Sequence, residues 1–321
     1  MDKVFKYELF NKMIRDFAVN EVKPLAHEVD EQERFPYETV EKMAKLGLMG
    51  IIVPKEYGGM GGDYKMYIKA VEELSKVCAT TGVILSAHTS LCIAPIMEYG
   101  NEEQKKKYLP KLASGEWLGA FGLTEPNAGT DANNQTTTAV KEGDHWVLNG
   151  SKIFITNAGP ANVYFVIAVT GRNPKGVECA AFIVEKGFPG FSVGKKELKM
   201  GIRGSSTCEL IFENCIVPEA NLVGKIGEGV KMALKTLDGG RVGISAQALG
   251  IAEGALEATV AYVKERKQFN KPISAFQNTQ FCLADLYTKI NAASLLVERA
   301  TEAKQNKSPM LGMYAAQAKL F

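Results

Sequence analysis

The chain has 321 residues, 46% of them hydrophobic, and its 38 basic and 36 acidic side chains leave a formal charge of +2. This near balance, without aromatic residues interleaved among basic ones, argues against a nucleic-acid groove. The 6 cysteines lie far apart and only 3 histidines accompany them, so no metal site is expected. No charged region followed by an apolar one opens the chain, which predicts a cytoplasmic protein with reduced thiols.

The first part of the chain, residues 1–117, is predicted to be a helical bundle. Apolar residues recur at helical spacing around Phe10 and again in the run from Tyr64 to Val77. The stretch from Val77 to Met97 has no charged side chain and is long enough to cross a bilayer. Its threonines, serines and His88 would be costly in hydrocarbon, so we predict a helix buried in the bundle, with His88 a satisfied core or pocket-wall residue.

The middle part, residues 118–225, changes to runs of β-branched residues with a period of two, which are typical of a β-barrel or sandwich. The predicted strands are Thr136–Val140, Trp146–Leu148, Lys152–Thr156, Val163–Val169, Ala180–Val184 and Glu209–Phe212. Two short segments, Glu142-Gly-Asp144 and Asn149-Gly150, carry hairpin signatures.

The last part, residues 226–321, returns to helices, beginning with one from Gly227 to about Lys267. It contains several glycines, each of which weakens an isolated helix by about 1 kcal/mol, so we expect neighbours or a ligand to approach closely there. A second helix is predicted from about Ile273 to Gln305, and Ser308-Pro309 should start a third. The order of helices, strands and helices predicts an α+β protein with three domains.

Two motifs identify a family. The segments Gly122-Leu-Thr-Glu-Pro-Asn-Ala-Gly-Thr-Asp131 and Lys152-Ile-Phe-Ile-Thr-Asn157 resemble the flavin-binding segments of the acyl-CoA dehydrogenase family. Leu237-Asp-Gly-Gly-Arg241 and Glu265-Arg-Lys-Gln-Phe269 agree with this resemblance, which covers essentially the whole chain. It is strongest with the bacterial short-chain, or butyryl-CoA, dehydrogenases. It implies an N-terminal helical bundle, a central β domain and a C-terminal helical bundle.

The resemblance implies FAD as the cofactor and assigns residues to it. The isoalloxazine ring would lie against residues from both motifs, with Thr124 hydrogen-bonded at the ring. The residues implied to bind the flavin are Phe121, Gly122, Leu123, Thr124, Gly129, Thr130, Phe154, Ile155 and Thr156. Two further residues, Arg266 and Gln277, match those that reach the FAD of a neighbouring subunit, and the family is usually a homotetramer.

Substrate residues are implied in the same way. Thr130 would lie near the pantetheine of coenzyme A. The resemblance assigns Asp238, Gly239, Gly240 and Arg241 to the acyl and CoA pocket, where small residues let the thioester chain approach the helix backbone. The alternative interpretation of these four is a helix-packing seam with a surface arginine.

The implied reaction is α,β-dehydrogenation of a short-chain acyl-CoA thioester, with electrons passed to an electron-transferring flavoprotein. In most of the family the general base is a glutamate that would lie beyond Phe321, and Gly240 occupies the alternative position before Arg241. We therefore expect a C-terminally truncated chain without a catalytic base and with little activity. Two alternatives remain open: an acyl-CoA oxidase or flavin monooxygenase of the same fold, and a non-catalytic flavin- or CoA-binding fragment.

Overall fold

The computed structural model describes residues 3–173 and 176–321. The chain divides into two compact units. The first combines the described part of Met1–His27 with Tyr64–Val83 and Arg241–Phe321, and the second combines Glu28–Asp63 with Ile84–Gly240. The predicted domain boundaries at residues 117 and 225 stay predictions, because each compact unit is assembled from distant parts of the chain.

The first unit is mainly helical, and the second unit has helices before and after its strands in the sequence. The α-helices of the described residues are α1 (Lys3–Phe17), α2 (Lys23–Glu31), α3 (Tyr37–Lys45), α4 (Tyr64–Val77), α5 (Ala79–Ser86), α6 (Ala94–Tyr99), α7 (Glu102–Ser114), α8 (Gly229–Glu265), α9 (Gln277–Gln305) and α10 (Leu311–Leu320). Two π-helical segments, Ala18–Val22 and Ala87–Ile93, join α1 to α2 and α5 to α6. Short 3-10 helices are Leu48–Gly50, Lys55–Tyr57, Glu219–Asn221 and Ile273–Ala275.

The glycines of α8 let another helix approach closely in the first unit. A Cβ atom on Gly250 would lie 2.2 Å from the backbone oxygen of Glu72, and one on Gly254 would lie 2.1 Å from that of Lys76. Both oxygens belong to α4, so its backbone packs directly on the glycine face of α8. The predicted close approach is confirmed at these two positions.

The start of the last helix was predicted too early. Helix α10 begins at Leu311, with Met310 as its N-cap, and not at Ser308-Pro309. The Ser308 hydroxyl accepts a hydrogen bond from the Met310 N–H, and its carbonyl accepts one from Leu311. Ser308 therefore closes a turn that precedes the helix.

The second unit contains the β domain. Its strands are β1 (Gly119–Gly122), β2 (Thr138–Glu142), β3 (His145–Ile155), β4 (Val163–Asn173), β5 (Gly176–Glu185), β6 (Phe191–Lys196), β7 (Cys208–Pro218) and β8 (Leu222–Val223). They form one sheet of order β6-β7-β3-β2-β4-β5-β8, and β1 pairs parallel to β4. Alternate residues such as Tyr164, Val166 and Ala168 enter one buried apolar cluster. In the first unit, β9 (Lys267–Gln268) and β10 (Lys271–Pro272) form a small hairpin.

One of the two hairpin predictions is wrong. Glu142-Gly-Asp144 does join β2 to β3, and Gly143 has the positive φ of 60° that such a turn favours. Asn149-Gly150, in contrast, lies inside β3, where the pairing with β7 shifts register. Gly150 is needed for space, since a Cβ there would meet the Cα of Thr137 at 2.7 Å.

The long apolar stretch is a core helix. Within the described part of the chain, Ala79–Tyr99 is long and apolar enough to cross a membrane, but most of its apolar stretch is buried in the protein. This burial is typical of the central helix of a soluble protein. His88 is fully buried and hydrogen-bonded through both ring nitrogens, to Leu112 and Gly119, as the sequence predicts.

Candidate functional site

The first motif starts on a buried strand and leaves it as an exposed loop. Gly122 ends β1, and a Cβ on it would meet Leu210, Val166 and Lys152 at 3.2 to 3.4 Å. The Phe121 ring stacks on Phe165 of the neighbouring strand, with centroids 6.2 Å apart. The chain then runs irregularly to the start of β2, and we call residues Leu123–Thr137 the motif loop. Most of this loop is exposed.

An ion pair lies beneath the motif loop. The fully buried Lys152 of β3 donates from Nζ to Glu125 Oε1 at 2.7 Å, to Gln135 Oε1 at 2.8 Å and to the Leu123 carbonyl at 3.2 Å. Glu125 Oε2 accepts from the backbone N–H and hydroxyl of Thr136, at 2.6 and 2.8 Å. Both ends of the loop are thus tied to one side chain of the sheet.

The environment keeps this pair ionised at neutral pH. Burial alone would raise the pKa of Glu125, but the charge of Lys152 and hydrogen bonds outweigh it and bring that pKa to about 2. Burial lowers the pKa of Lys152 to about 8 against the opposing influence of Glu125. Glu125 is therefore a very weak base and serves to hold the loop.

The second motif contains a strained aromatic residue. The pairing of β3 with β7 is interrupted between Lys152 and Ile155, which leaves Ile153 and Phe154 in a bulge. Phe154 has a φ of 60°, a left-handed conformation that costs a non-glycine residue roughly 1–2 kcal/mol, and its side chain is 60% exposed. Strain at an exposed aromatic side chain is typical of a ligand-facing position.

The two motifs meet at this bulge. The Ile153 N–H donates to the Thr124 carbonyl at 2.8 Å, so Thr124 lies beside Phe154. Ile155 is buried behind them, and Thr156 is partly exposed. The structure thus brings residues of both predicted flavin segments together at one edge of the β domain.

The motif loop offers hydrogen-bond donors with an apolar wall next to them. Within residues 3–173 and 176–321, no partner is found for the backbone N–H groups of Gly129 and Thr130 or for the hydroxyls of Thr124 and Thr156. A Cβ on Gly129 would meet no atom within 4 Å, so the loop is open there. Free amides and hydroxyls next to a flat aromatic wall fit a planar heterocycle with a polar edge.

Sequence reasoning missed the importance of three buried residues. Lys152, Glu125 and Gln135 were not among the expected site residues, although two of them belong to the motifs. The signal was available, because Lys152 follows Trp146 and Leu148 at the core-facing positions of β3, where a lysine requires a carboxylate partner. Asn157 was also passed over, and its buried amide donates to the carbonyls of Ile84 and Gly119 at 3.1 and 3.4 Å.

The predicted substrate residues lie in succession on α8. Gly239 is buried, and a Cβ on Gly240 would approach Leu91 Cδ2 to 2.8 Å. The carbonyl of Arg241 accepts a hydrogen bond from the Ser245 hydroxyl at 2.7 Å. Asp238, Gly239 and Gly240 therefore share one helix segment, in which Gly240 leaves room for Leu91. Their role towards a substrate stays a prediction.

Arg266 and Gln277 flank the small hairpin of the first unit. Arg266 follows α8 and Gln277 starts α9, and both side chains are exposed. The Arg266 carbonyl accepts from the Ile273 N–H at 2.9 Å, whereas its guanidinium forms no ion pair with any described residue. The predicted contact with a neighbouring subunit is not tested within one chain.

Three family profiles together match most of the chain. The acyl-CoA dehydrogenase N-terminal domain matches residues 6–116, the middle domain matches 120–215 and the C-terminal domain matches 227–321. The short-chain specific acyl-CoA dehydrogenase of Clostridium acetobutylicum is 59% identical over 98% of this chain and 82% of the relative.

Solved structures are similar to this chain over nearly its whole length. Butyryl-CoA dehydrogenase from Megasphaera elsdenii is 47% identical, with a TM-score of 0.94 over 99% of this chain and 83% of that one. A chain from the work "Electron transferring flavoprotein of Acidaminococcus fermentans: Towards a mechanism of flavin-based electron bifurcation" is 52% identical, also with a TM-score of 0.94 and the same coverage.

Proposed function

Because the chain belongs to the acyl-CoA dehydrogenase family, we propose that it is an FAD-dependent dehydrogenase of short-chain acyl-CoA thioesters such as butyryl-CoA. The observation that carries the proposal is the meeting of the motif loop with the strained, exposed Phe154 at one edge of the β domain. Electrons pass on to an electron-transferring flavoprotein, as the structural relatives suggest.

FAD fits the residues of this edge. Phe154 provides an aromatic plane, Ile155 closes the apolar layer behind it, and Thr124 and Thr130 offer hydrogen-bond donors. When bound, FAD supplies the acceptor for the hydride that leaves the β-carbon of the thioester. The task of this chain is to hold the ring, exclude water from it and place the acyl chain alongside, with Gly239 and Gly240 of α8 as the acyl-facing backbone.

We propose further that none of the 321 residues acts as the general base. A base for a carbon acid this weak must be a carboxylate whose pKa is not depressed. Glu125, the buried carboxylate of the first flavin segment, has a pKa of about 2 and hydrogen bonds to both oxygens. The position before Arg241 is Gly240, which has no side chain.

An anaerobic titration tests both proposals. The purified chain should retain FAD, and butyryl-CoA should shift the flavin spectrum through binding without bleaching it. Bleaching would support the dehydrogenase and contradict the absence of a base. A chain that cannot bind FAD would overturn the proposed function itself. Oxygen uptake with substrate in an aerobic control would indicate an oxidase instead.

Phe154 can be tested with a matched pair of variants. Phe154→Gly and Phe154→Ala both remove the ring, and each should weaken FAD binding about tenfold, as expected for an aromatic contact of about 1.4 kcal/mol. Their stabilities should differ, because glycine tolerates the φ of 60° and alanine does not. We expect Phe154→Gly to be about 1 kcal/mol more stable than Phe154→Ala in urea unfolding of the apo-protein. Equal stabilities would show that the backbone is not strained.

The protein is proposed to be a cytoplasmic homotetramer in which Arg266 and Gln277 reach the FAD of a neighbouring subunit. Several large apolar side chains on α9 and α10 are exposed in the single chain, among them Phe281, Leu295 and Leu320, and would be covered in an oligomer. Sedimentation of the soluble fraction should find a tetramer. A monomer that retains FAD would contradict the assembly.

Arg266 should contribute a charged hydrogen bond to the FAD pyrophosphate. Arg266→Met is expected to weaken FAD binding about tenfold and to reduce its dependence on salt, because one cationic contact to phosphate is lost. Arg266→Lys serves as the control that retains the charge, and its FAD affinity should fall between those of the wild type and Arg266→Met. Unchanged FAD affinity in an Arg266→Met protein of unaltered size would remove Arg266 from the cofactor site.

A further inference from the structure

The motif loop lacks a backbone ladder of its own. Glu125 and Ala128 exchange backbone hydrogen bonds in a tight turn, and the Asn134 N–H donates to the Asp131 carbonyl at 3.1 Å. The backbone N–H groups of Thr136 and Thr137 donate instead to the two carboxylate oxygens of Glu125, at 2.6 and 3.1 Å. The carbonyls of Gln135 and Thr137 also accept hydrogen bonds, from Arg172 at 3.1 Å and from the Val169 N–H at 2.8 Å. Without the side chain of Glu125, however, the N–H groups of Thr136 and Thr137 would lose their acceptors.

Lys152 connects this side-chain network to the sheet. Its three acceptors come from the beginning and the end of the loop: the Leu123 carbonyl, Glu125 and Gln135. Gln135 is itself buried and donates from Nε2 to the Ala132 carbonyl at 2.9 Å. The stem of Lys152 passes beneath Gly122, whose missing Cβ would lie 3.4 Å from Lys152 Cγ. One ammonium group therefore fixes the loop at both ends and leaves its exposed middle open.

A purely structural role accounts poorly for this arrangement. A buried ion pair is often no more stabilising than apolar residues of the same volume, since both charges must be taken out of water. An apolar pair in the sheet could not orient the carbonyl and amide groups of an irregular loop. The pair instead gives that loop a defined conformation, which matters most where the loop must present fixed donors to a ligand.

We propose that Lys152 is a positioning residue for the flavin, which holds the motif loop against β3 in its cofactor-binding conformation through Glu125 and Gln135. The proposal rests on the proposed FAD site. It assigns a role to a residue that is buried beneath the loop and is not part of the exposed surface on which the cofactor would rest. Because Lys152 also adjoins the bulge at Phe154, the same side chain fixes the relative position of both flavin segments.

Three variants separate positioning from stability. Lys152→Met removes the ammonium and leaves Glu125 buried without a counter-charge. Glu125→Gln removes the carboxylate charge. The double variant removes both charges, so its melting temperature should recover towards that of the wild type while the loop remains unanchored. Val217→Ala, in the buried part of β7 and remote from the loop in the pairing register, is the control for a general loss of stability.

The expected result is a separation of cofactor binding from stability. FAD should bind at least about tenfold more weakly to Lys152→Met and to the double variant, as the loss of one charged hydrogen bond predicts. Affinity should be unchanged in Val217→Ala. Affinity that simply follows the melting temperature across all four proteins would overturn the proposal, as would an unchanged affinity in Lys152→Met.

Hydrogen exchange of the apo-protein gives a readout that does not depend on FAD. The backbone amides of Thr136 and Thr137 should exchange faster in Lys152→Met than in the wild type, and at the wild-type rate in Val217→Ala. Wild-type rates in Lys152→Met would overturn the anchoring role even if the chain binds no FAD. If Lys152→Met does not fold, Gln135→Met removes one acceptor without exposing a buried charge, and it should weaken FAD binding about fivefold. An unchanged affinity in that variant would also contradict the proposal.

Discussion

Gly250→Ala is expected to lower the free energy of unfolding by about 2 kcal/mol, because overpacking against a backbone atom that cannot yield should cost about 3 kcal/mol, the upper end of the usual range, and the gain in helix propensity offsets about 1 kcal/mol of it. Helix propensity alone predicts the opposite sign, since alanine is about 1 kcal/mol better than glycine inside a helix. The new Cβ would lie 2.2 Å from the Glu72 carbonyl oxygen and 2.9 Å from Ser75 Cβ. The nearest atom belongs to a backbone, so a change of rotamer cannot relieve the clash.

Helix α4 cannot easily move away from α8. The residues Tyr67, Val71 and Leu74 of α4 are fully buried. Glu73 of the same helix pairs with Arg15 of α1 at 3.4 Å, and Lys76 pairs with Glu253 of α8 at 2.9 Å. Moving α4 outwards would disturb these contacts together, and for this reason we expect the packing penalty to exceed the gain in helix propensity.

Urea unfolding of the variants measures the effect. The dependence of the unfolding free energy on urea concentration should be the same in each protein, so that a shift in midpoint reports a change in stability. Ala248→Gly, at an exposed position of the same helix, should cost about 1 kcal/mol and calibrates the propensity scale on α8. Gly201→Ala, which has no atom within 4 Å of the added Cβ, should change the free energy of unfolding by less than about 0.5 kcal/mol. A Gly250→Ala protein more stable than the wild type would disprove the close packing of α4 on α8.

The sequence was most informative where local pattern decides the structure. Helix α4 has the predicted bounds, Tyr64–Val77, because its apolar residues lie on one face and its neighbours in sequence do not continue that pattern. The glycines of α8 likewise indicated close approach before any partner was known. Glycine has few other uses inside a long helix, so the prediction needed no knowledge of the fold.

Long-range pairing decided the features that the sequence did not reveal. Asn149-Gly150 has the composition of a hairpin turn, yet the Asn149 side chain accepts from the Asn214 N–H at 2.8 Å and keeps the chain extended along β7. The bulge at Phe154 depends in the same way on how β3 pairs with β7. The composition of a dipeptide does not determine which strand it will pair with, so the extended Asn149-Gly150 and the bulge at Phe154 could not be predicted from local propensity.

The site was predictable as a set of segments, but its internal connections were not. Both flavin motifs were recognised by their residue order, and they do meet at Thr124 and Ile153. The core-facing position of Lys152 indicated a carboxylate partner, but not which carboxylate, and not that Lys152 would also link Leu123 with Gln135. Such a network becomes visible only when the acceptors of a buried ammonium are identified in three dimensions.

Lowering the pH from 7 to 5 is expected to destabilise the protein by about 2 kcal/mol through His88 alone. Burial lowers the pKa of His88 to about 4, below its ordinary value of 6.5. The unfolded chain therefore takes up the proton first as the pH falls. Stability is lost between about pH 6.5 and about pH 4, and the full loss across this window is about 3 kcal/mol.

Burial is the main reason why the charged form of His88 is disfavoured, and the hydrogen bond that Nδ1 accepts from Gly119 adds to it. The Gly119 N–H donates to Nδ1 at 3.0 Å, and Nε2 lies 3.1 Å from the Leu112 carbonyl, so the neutral ring carries its proton on Nε2. A second proton would face the Gly119 N–H and break the bond that joins β1 to the π-helical segment. Cys92, one turn further on, has a pKa raised to about 12 and stays neutral throughout, so it offers no compensating charge.

His88→Asn isolates this contribution, because an amide can accept from Gly119 but cannot ionise in this range. The variant should be less stable than the wild type at pH 7, whereas its free energy of unfolding should fall about 2 kcal/mol less between pH 7 and 5. Working above pH 5 limits interference from Glu73 and Glu125, whose pKa values of about 2 make their contributions fall mainly below about pH 4.5. Parallel pH profiles for the two proteins would mean that His88 titrates normally in the folded state. Since full burial and two backbone hydrogen bonds leave no room for a hydrated imidazolium, such a result would require the helix carrying His88 to open locally at acid pH, which hydrogen exchange at Gly119 would detect.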